Sequence, residues 1–96
     1  GIEKYRSISD AQLAERDADT FHQYARTVLG IPKDNVILLL NEHASQADLS
    51  KYLEEWLPRN VGPDSRVYVY YSGHGTPDAT GKNSYIVPWD GDPSYL

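Results

Sequence analysis

The chain has 96 residues, with 9 Lys and Arg against 14 Asp and Glu and a formal net charge of -5. That length sets a limit of one domain with a modest core, and the acidic balance with scattered basic residues excludes nonspecific nucleic-acid binding, which needs clustered cations to meet phosphates. No cysteine occurs, which excludes disulfides, thiolate metal sites and a cysteine nucleophile within this chain. No apolar run is long enough to span a bilayer and no signal-peptide pattern opens the sequence, so the expectation is a soluble domain with no membrane partner, the cytoplasm being the default setting.

Ser9 with Gln12 three residues on has the form of a capping box, and Asp17 offers a second, later N-cap for the same helix. Ala14, Ala18, Phe21, Ala25, Val28 and Leu29 then recur at helical spacing until Gly30 and Pro32 stop the run. "NVILLLN", Asn35 to Asn41, is a continuous apolar run bounded by polar residues, and predicts a strand buried on both faces. Ser45 is the N-cap of a second helix striped by Leu49, Tyr52, Leu53, Trp56 and Leu57, ended by Pro58. "VGPDS" is a turn. Val67 to Tyr71 places Val67, Val69 and Tyr71 on one face and Tyr68 and Tyr70 on the other, so helices are expected to cover both. Tyr85 to Val87 is a short strand closed by Pro88. This alternation of helix and strand predicts βαβ units, a parallel sheet and an α/β sandwich.

The chemistry concentrates where the Val67 strand ends, in "VYVYYSGHG". Working residues in open parallel sheets gather beyond the carboxyl ends of strands. Glycines on both sides of His74 remove bulk and permit unusual backbone angles, so that a substrate can lie against the main chain and the Gly75 N–H can point at it. Histidine titrates near neutral pH and can move a proton, and a neighbouring N–H can stabilise an oxyanion. The plainer alternative is a turn that requires its glycines and tolerates its histidine. His22 and His43 lie far from His74 in sequence and form no zinc-protease motif, so no metal site is expected from them.

"VYVYYSGHG" resembles the histidine strand of the caspase-like cysteine peptidases, a group that includes metacaspases and bacterial caspase homologues. The resemblance extends along nearly the whole chain. "GIEKY" is similar to the end of the family's first strand and "AERDADTF" to its first helix. "LGIPKDNVILLLNEHASQADL" resembles the second strand leading into the second helix, and "YIVPWD" the strand after the histidine loop. It implies a three-layer sandwich with a mainly parallel sheet in a flavodoxin-like arrangement. His74 would be the catalytic histidine, acting with a cysteine through an acyl-enzyme, and Gly75 an oxyanion donor. Ser72 would line the primary specificity pocket, and Asp17 would be its carboxylate, favouring Arg or Lys in a peptide or protein substrate. Asp17 as a plain helix cap and Ser72 as a turn hydroxyl are the alternatives, and Arg16 beside Asp17 keeps open a preference for acidic substrates. Calcium, which metacaspases often need, would find oxygen ligands in Asp78, Asp90 and Asp92, although "DGDP" lacks the spacing of a calcium loop and turns favour Asp and Gly; no other cofactor is implied.

Two departures from the family bear on activity. The nucleophilic cysteine normally follows on the next central strand, and no cysteine is present, so the chain alone is expected to be inactive. Only Gly1 and Ile2 match the first strand, which in the family lies in the sheet centre between the strands represented by Val36–Leu40 and Val67–Tyr71. The expectation is therefore an incomplete, large-subunit portion of such a domain over residues 1–96, with the gap filled by the missing part of the domain or by a second copy of the chain. A non-catalytic caspase-like interaction or regulatory module is the competing expectation, and an α/β domain binding a small ligand at its strand ends a third.

Overall fold

The computed structural model describes residues 1–92. Helix α1 spans Ala14–Thr27 and buries Ala14, Ala18 and Ala25, spaced to lie on one face. It does not begin at the Ser9–Gln12 box. The residue before it is Leu13, in the left-handed region with φ 71° and without a side-chain cap. Asp17 sits inside the first turn, where its charge complements the helix dipole and its N–H donates to the Leu13 carbonyl at 2.9 Å. At the far end Gly30 adopts φ 67°, and the chain turns back so that the Ile31 N–H donates to the Ala25 carbonyl at 3.0 Å.

A 3-10 turn, Lys33–Asn35, leads into the run 36–40, whose ends have parallel-strand dihedrals: φ −120°, ψ 126° at Val36 and φ −119°, ψ 133° at Leu40. After a second 3-10 turn, Asn41–Ala44, helix α2 (Gln46–Ser50) opens on Ser45, whose hydroxyl oxygen accepts from the Asp48 N–H at 3.2 Å, as a cap should. It widens into a π-helical stretch, Lys51–Trp56, and continues as α3, Leu57–Arg59. Pro58 gives the physical reason: it has no N–H to donate and its ring crowds the carbonyl one turn back. The widened turn, with the Leu57 N–H on the Tyr52 carbonyl, carries the backbone past it.

The expected three-layer sandwich with a mainly parallel sheet is not what forms. Among the described residues the sheet is a two-stranded antiparallel hairpin, β1 (Gly75–Pro77) and β2 (Ser84–Ile86), with Gly75 opposite Ile86, Thr76 opposite Tyr85 and Pro77 opposite Ser84. The two runs expected as central strands, 36–40 and 67–71, make no ladder with each other, because a cavity of about 680 Å³ lies between them. Nor are helices found over both faces of 67–71; Val69 is 70% exposed. At one end of the cavity Gly1 and Ile2 lie between the runs. The Gly1 ammonium donates to the Leu39 carbonyl at 2.9 Å, the Asn41 N–H to the Gly1 carbonyl at 3.0 Å, and the Ile2 N–H to the Ser72 carbonyl at 2.8 Å.

Among the described residues the buried apolar ones are Ile2, Ala14, Ala18, Ala25, Ala44 and Val87. Four are alanines, so this core removes little apolar surface from water. The radius of gyration, 14.3 Å, exceeds the roughly 12.5 Å that a well-packed domain of this length has. No helix of the described residues is long and apolar enough to cross a membrane.

Candidate functional site

His74 lies in the bend between the 67–71 run and β1, and two tyrosines hold its backbone. Its N–H donates to the Tyr5 hydroxyl oxygen at 2.6 Å; its carbonyl accepts from the Tyr71 hydroxyl at 2.5 Å and from the Val87 N–H at 3.1 Å. The two hydroxyls are 3.3 Å apart. Burial, then the hydrogen bond and charge of Tyr5, raises the Tyr71 phenol above its ordinary value, so it remains a donor across neutral pH. Gly73 is required here, since a β-carbon on it would stand 2.6 Å from the Tyr71 hydroxyl and 2.7 Å from that of Tyr5.

The imidazole is fixed by a separate contact. Its Nε2 lies 2.9 Å from the Ser9 carbonyl. A carbonyl only accepts, so in the neutral ring Nε2 carries the proton and Nδ1 holds the lone pair. Nδ1 makes no hydrogen bond among the described residues. The Tyr5 ring, its centroid 5.0 Å away and tilted by 38°, packs against the imidazole.

Gly75 begins β1, and the hairpin register sets the direction of its N–H. The bonds Val87 N–H to His74 carbonyl and Asp78 N–H to Asn83 carbonyl place the hydrogen-bonded pairs at residues 74, 76 and 78. Gly75 therefore falls in a non-hydrogen-bonded pair with Ile86, and its N–H points away from β2. An imidazole with an open lone pair thus sits next to an outward-facing amide. This arrangement can take up a proton and, one residue on, receive a negatively charged oxygen.

The other predicted residues are placed less tightly. Ser72 contributes its carbonyl to the Ile2 N–H. The Asp17 carboxylate meets the Arg16 guanidinium at 3.7 Å, and no hydrogen bond, ion pair or ring contact joins it to Ser72 or His74 among the described residues. Asp78 is occupied by its own turn: its carboxylate accepts from the Thr80 hydroxyl at 2.8 Å and from the Asn83 side-chain amide at 2.8 Å. Asp90 accepts from the Gln46 N–H at 2.9 Å. No group of three or more potential metal ligands gathers among the described residues, and Pro93 of "DGDP" lies outside them.

Tyr5, Tyr71 and Ser9 hold His74, and Asn41 braces the N-terminal segment that carries Tyr5; none of the four is expected from the sequence as a site residue, Ser9 reading as part of a helix cap. Asn41 adopts φ 51°; its side-chain oxygen accepts from the Glu3 and Lys4 N–H groups, each at 3.0 Å, and its amide donates to Glu15 at 3.1 Å. The signal for it was an asparagine closing an apolar run, a residue type that tolerates the left-handed region. For Tyr71 the signal was a second tyrosine directly before "SGHG". Neither Tyr5 nor Ser9 could be tied to His74 without the fold, since 69 and 65 residues separate them from it. No family model matches the chain, and neither a curated protein nor a solved structure matches it.

Proposed function

We propose that this chain supplies the histidine of a caspase-like cysteine endopeptidase whose cysteine comes from polypeptide outside these 96 residues. The supporting observation is the state of His74: Nε2 anchored on the Ser9 carbonyl, Nδ1 open, and the outward-pointing Gly75 N–H beside it. In this reading His74 takes the thiol proton, the thiolate adds to the scissile carbonyl, and Gly75 donates to the oxyanion. The protonated imidazole then gives its proton to the leaving amine, and water releases the acyl group. Asp17 and Ser72 select a basic residue before the cleaved bond through a carboxylate–guanidinium pair. The reading rests on the motif and the site, not on the sheet.

The absence of any thiol in the chain favours a second reading, a non-catalytic interaction module. Cleavage of Arg-containing peptides by the cysteine-bearing assembly separates the two. The peptidase reading predicts turnover that falls by about 100-fold or more in His74→Ala. Turnover indifferent to that substitution, or none at all, contradicts it.

A further inference from the structure

His74 presents two backbone polar groups, and one tyrosine meets each. Its N–H donates to the Tyr5 hydroxyl oxygen at 2.6 Å, and its carbonyl accepts from the Tyr71 hydroxyl at 2.5 Å. A phenol has a single proton and an oxygen that also accepts. The Tyr71 proton has two carbonyls within reach, that of His74 at 2.5 Å and that of Val87 at 3.3 Å, and the shorter contact takes it. That leaves the Tyr71 oxygen free to accept. The Tyr5 oxygen is engaged by the His74 amide, so the Tyr5 proton is the one that bridges the 3.3 Å between the two hydroxyls.

The protons therefore run one way round a closed circuit: His74 N–H to Tyr5, Tyr5 to Tyr71, Tyr71 to the His74 carbonyl. Hydrogen bonds linked head to tail polarise one another, so each is stronger than it would be alone. The direction is fixed, since the amide can only donate and the carbonyl only accept. Burial and the Tyr5 bond hold the Tyr71 phenol above its ordinary value, which keeps in place the proton that the circuit needs. A β-carbon on Gly73 would stand 2.6 Å and 2.7 Å from the two hydroxyls, so residue 73 has to be bare for the circuit to close.

The circuit reaches the imidazole by two routes. Both backbone polar groups are pinned, the second lone pair of the His74 carbonyl being taken by the Val87 N–H at 3.1 Å, and this sets the direction in which the side chain leaves the main chain. The Tyr5 ring itself lies against the imidazole, with centroids 5.0 Å apart. Held in this way, the imidazole places Nε2 at 2.9 Å from the Ser9 carbonyl. A half-turn about its Cβ–Cγ bond would lose that contact, and with it the choice of which nitrogen carries the proton.

We propose that Tyr5 and Tyr71 act as one positioning unit for His74, a one-way ring of hydrogen bonds through its own peptide groups that keeps Nε2 on the Ser9 carbonyl and Nδ1 open. The effect on catalysis rests on the peptidase reading; the ring itself does not.

The test reads the 96-residue chain by nitrogen-15 NMR of the His74 imidazole and by exchange of the His74 amide, in Tyr5→Phe, Tyr71→Phe and the double variant. Phenylalanine keeps the aromatic packing and removes only the hydroxyl. The Tyr71 hydroxyl bonds the His74 carbonyl and not its amide, yet opening the ring at Tyr71 is expected to speed that amide's exchange by about 10-fold. The imidazole is expected to move toward a mixture of tautomers, with the double variant little worse than the worse single one. An unmoved His74 in Tyr71→Phe, or effects that add, overturns the ring in favour of two separate contacts. Where a variant does not fold, the unaltered chain decides: both hydroxyl protons are expected as separate, slowly exchanging resonances, and rapid exchange of either with water overturns the ring. In the cysteine-bearing assembly each single variant should lower kcat about 10-fold with KM unchanged. An unchanged kcat overturns the positioning role, whereas turnover indifferent to His74→Ala overturns the peptidase reading and leaves the ring to be judged by the imidazole alone.

Discussion

Gly73 and Gly75 flank the same histidine but carry different constraints. A methyl group on Gly73 would collide with two tyrosine hydroxyls that hold the His74 backbone, whereas on Gly75 it would stand 3.4 Å from the Tyr85 carbonyl oxygen, an ordinary contact. Gly73→Ala is expected to lose about 1–3 kcal/mol by overpacking, and Gly75→Ala to stay within about 0.5 kcal/mol. Denaturant midpoints of the two variants check this, and equal losses would contradict it. Asp78 gives a second residue-scale outcome. Hydrogen bonds from the Asn83 side chain and then from the Thr80 hydroxyl hold its carboxyl at about 2, below its ordinary 3.8. A folded pKa below the unfolded one means that stability is present above 3.8 and lost as pH falls toward 2. Between those values the native chain should lose stability that Asp78→Ala, lacking the group, does not lose, as read by unfolding midpoints at pH 4 and pH 2. Parallel losses in both chains would contradict it.

Helix boundaries show what local sequence can and cannot specify. The Ser45 cap was legible because a hydroxyl three residues before a backbone donor is a local device, and it forms as read. The Ser9–Gln12 box was equally plausible locally but does not form. The segment before α1 is held in a loop by the Ala11 N–H on the Glu3 carbonyl and the Lys4–Asp10 ion pair, and by one contact distant in sequence, the Ser9 carbonyl on His74. Leu13 then enters α1 in the left-handed region, at a cost of about 1–2 kcal/mol for an L residue with a β-carbon. Its side chain is half exposed, so little burial is lost on removing it. Leu13→Gly should therefore raise stability by about 1 kcal/mol, read as a higher denaturant midpoint; a lower one would show that the Leu13 side chain matters more than its backbone strain. The strands were less legible than the helices. Apolar runs at 36–40 and 67–71 fit buried parallel strands, but pairing depends on a neighbour at hydrogen-bonding distance, which composition does not specify. The short strand expected at Tyr85–Val87 forms one residue earlier, at Ser84–Ile86, whereas its hairpin partner Gly75–Pro77 escaped notice because it contains Gly and Pro, residues depleted in strands.

A core made mostly of alanines, an open slot between the runs 36–39 and 67–71, and exposed Val67, Tyr68, Val69 and Tyr70 describe a chain with much apolar surface left in solvent. Such a chain is prone to associate through the exposed 67–71 run. The histidine site lies beside this slot and is closed by bonds reaching from Tyr5 and Ser9 to His74 and from Ile2 to Ser72, so the same N-terminal segment that ends the slot also braces the imidazole. Under the proposed function, this braced imidazole activates a thiol supplied from outside the chain. The most direct test of that activation is the intact mass of the cysteine-bearing assembly before and after exposure to a thiol-reactive peptide electrophile ending in Arg, with His74→Ala alongside. One stoichiometric adduct on a cysteine is expected, formed about 100-fold or more slowly when His74 is alanine. No adduct, or an adduct formed equally fast without the imidazole, would contradict it.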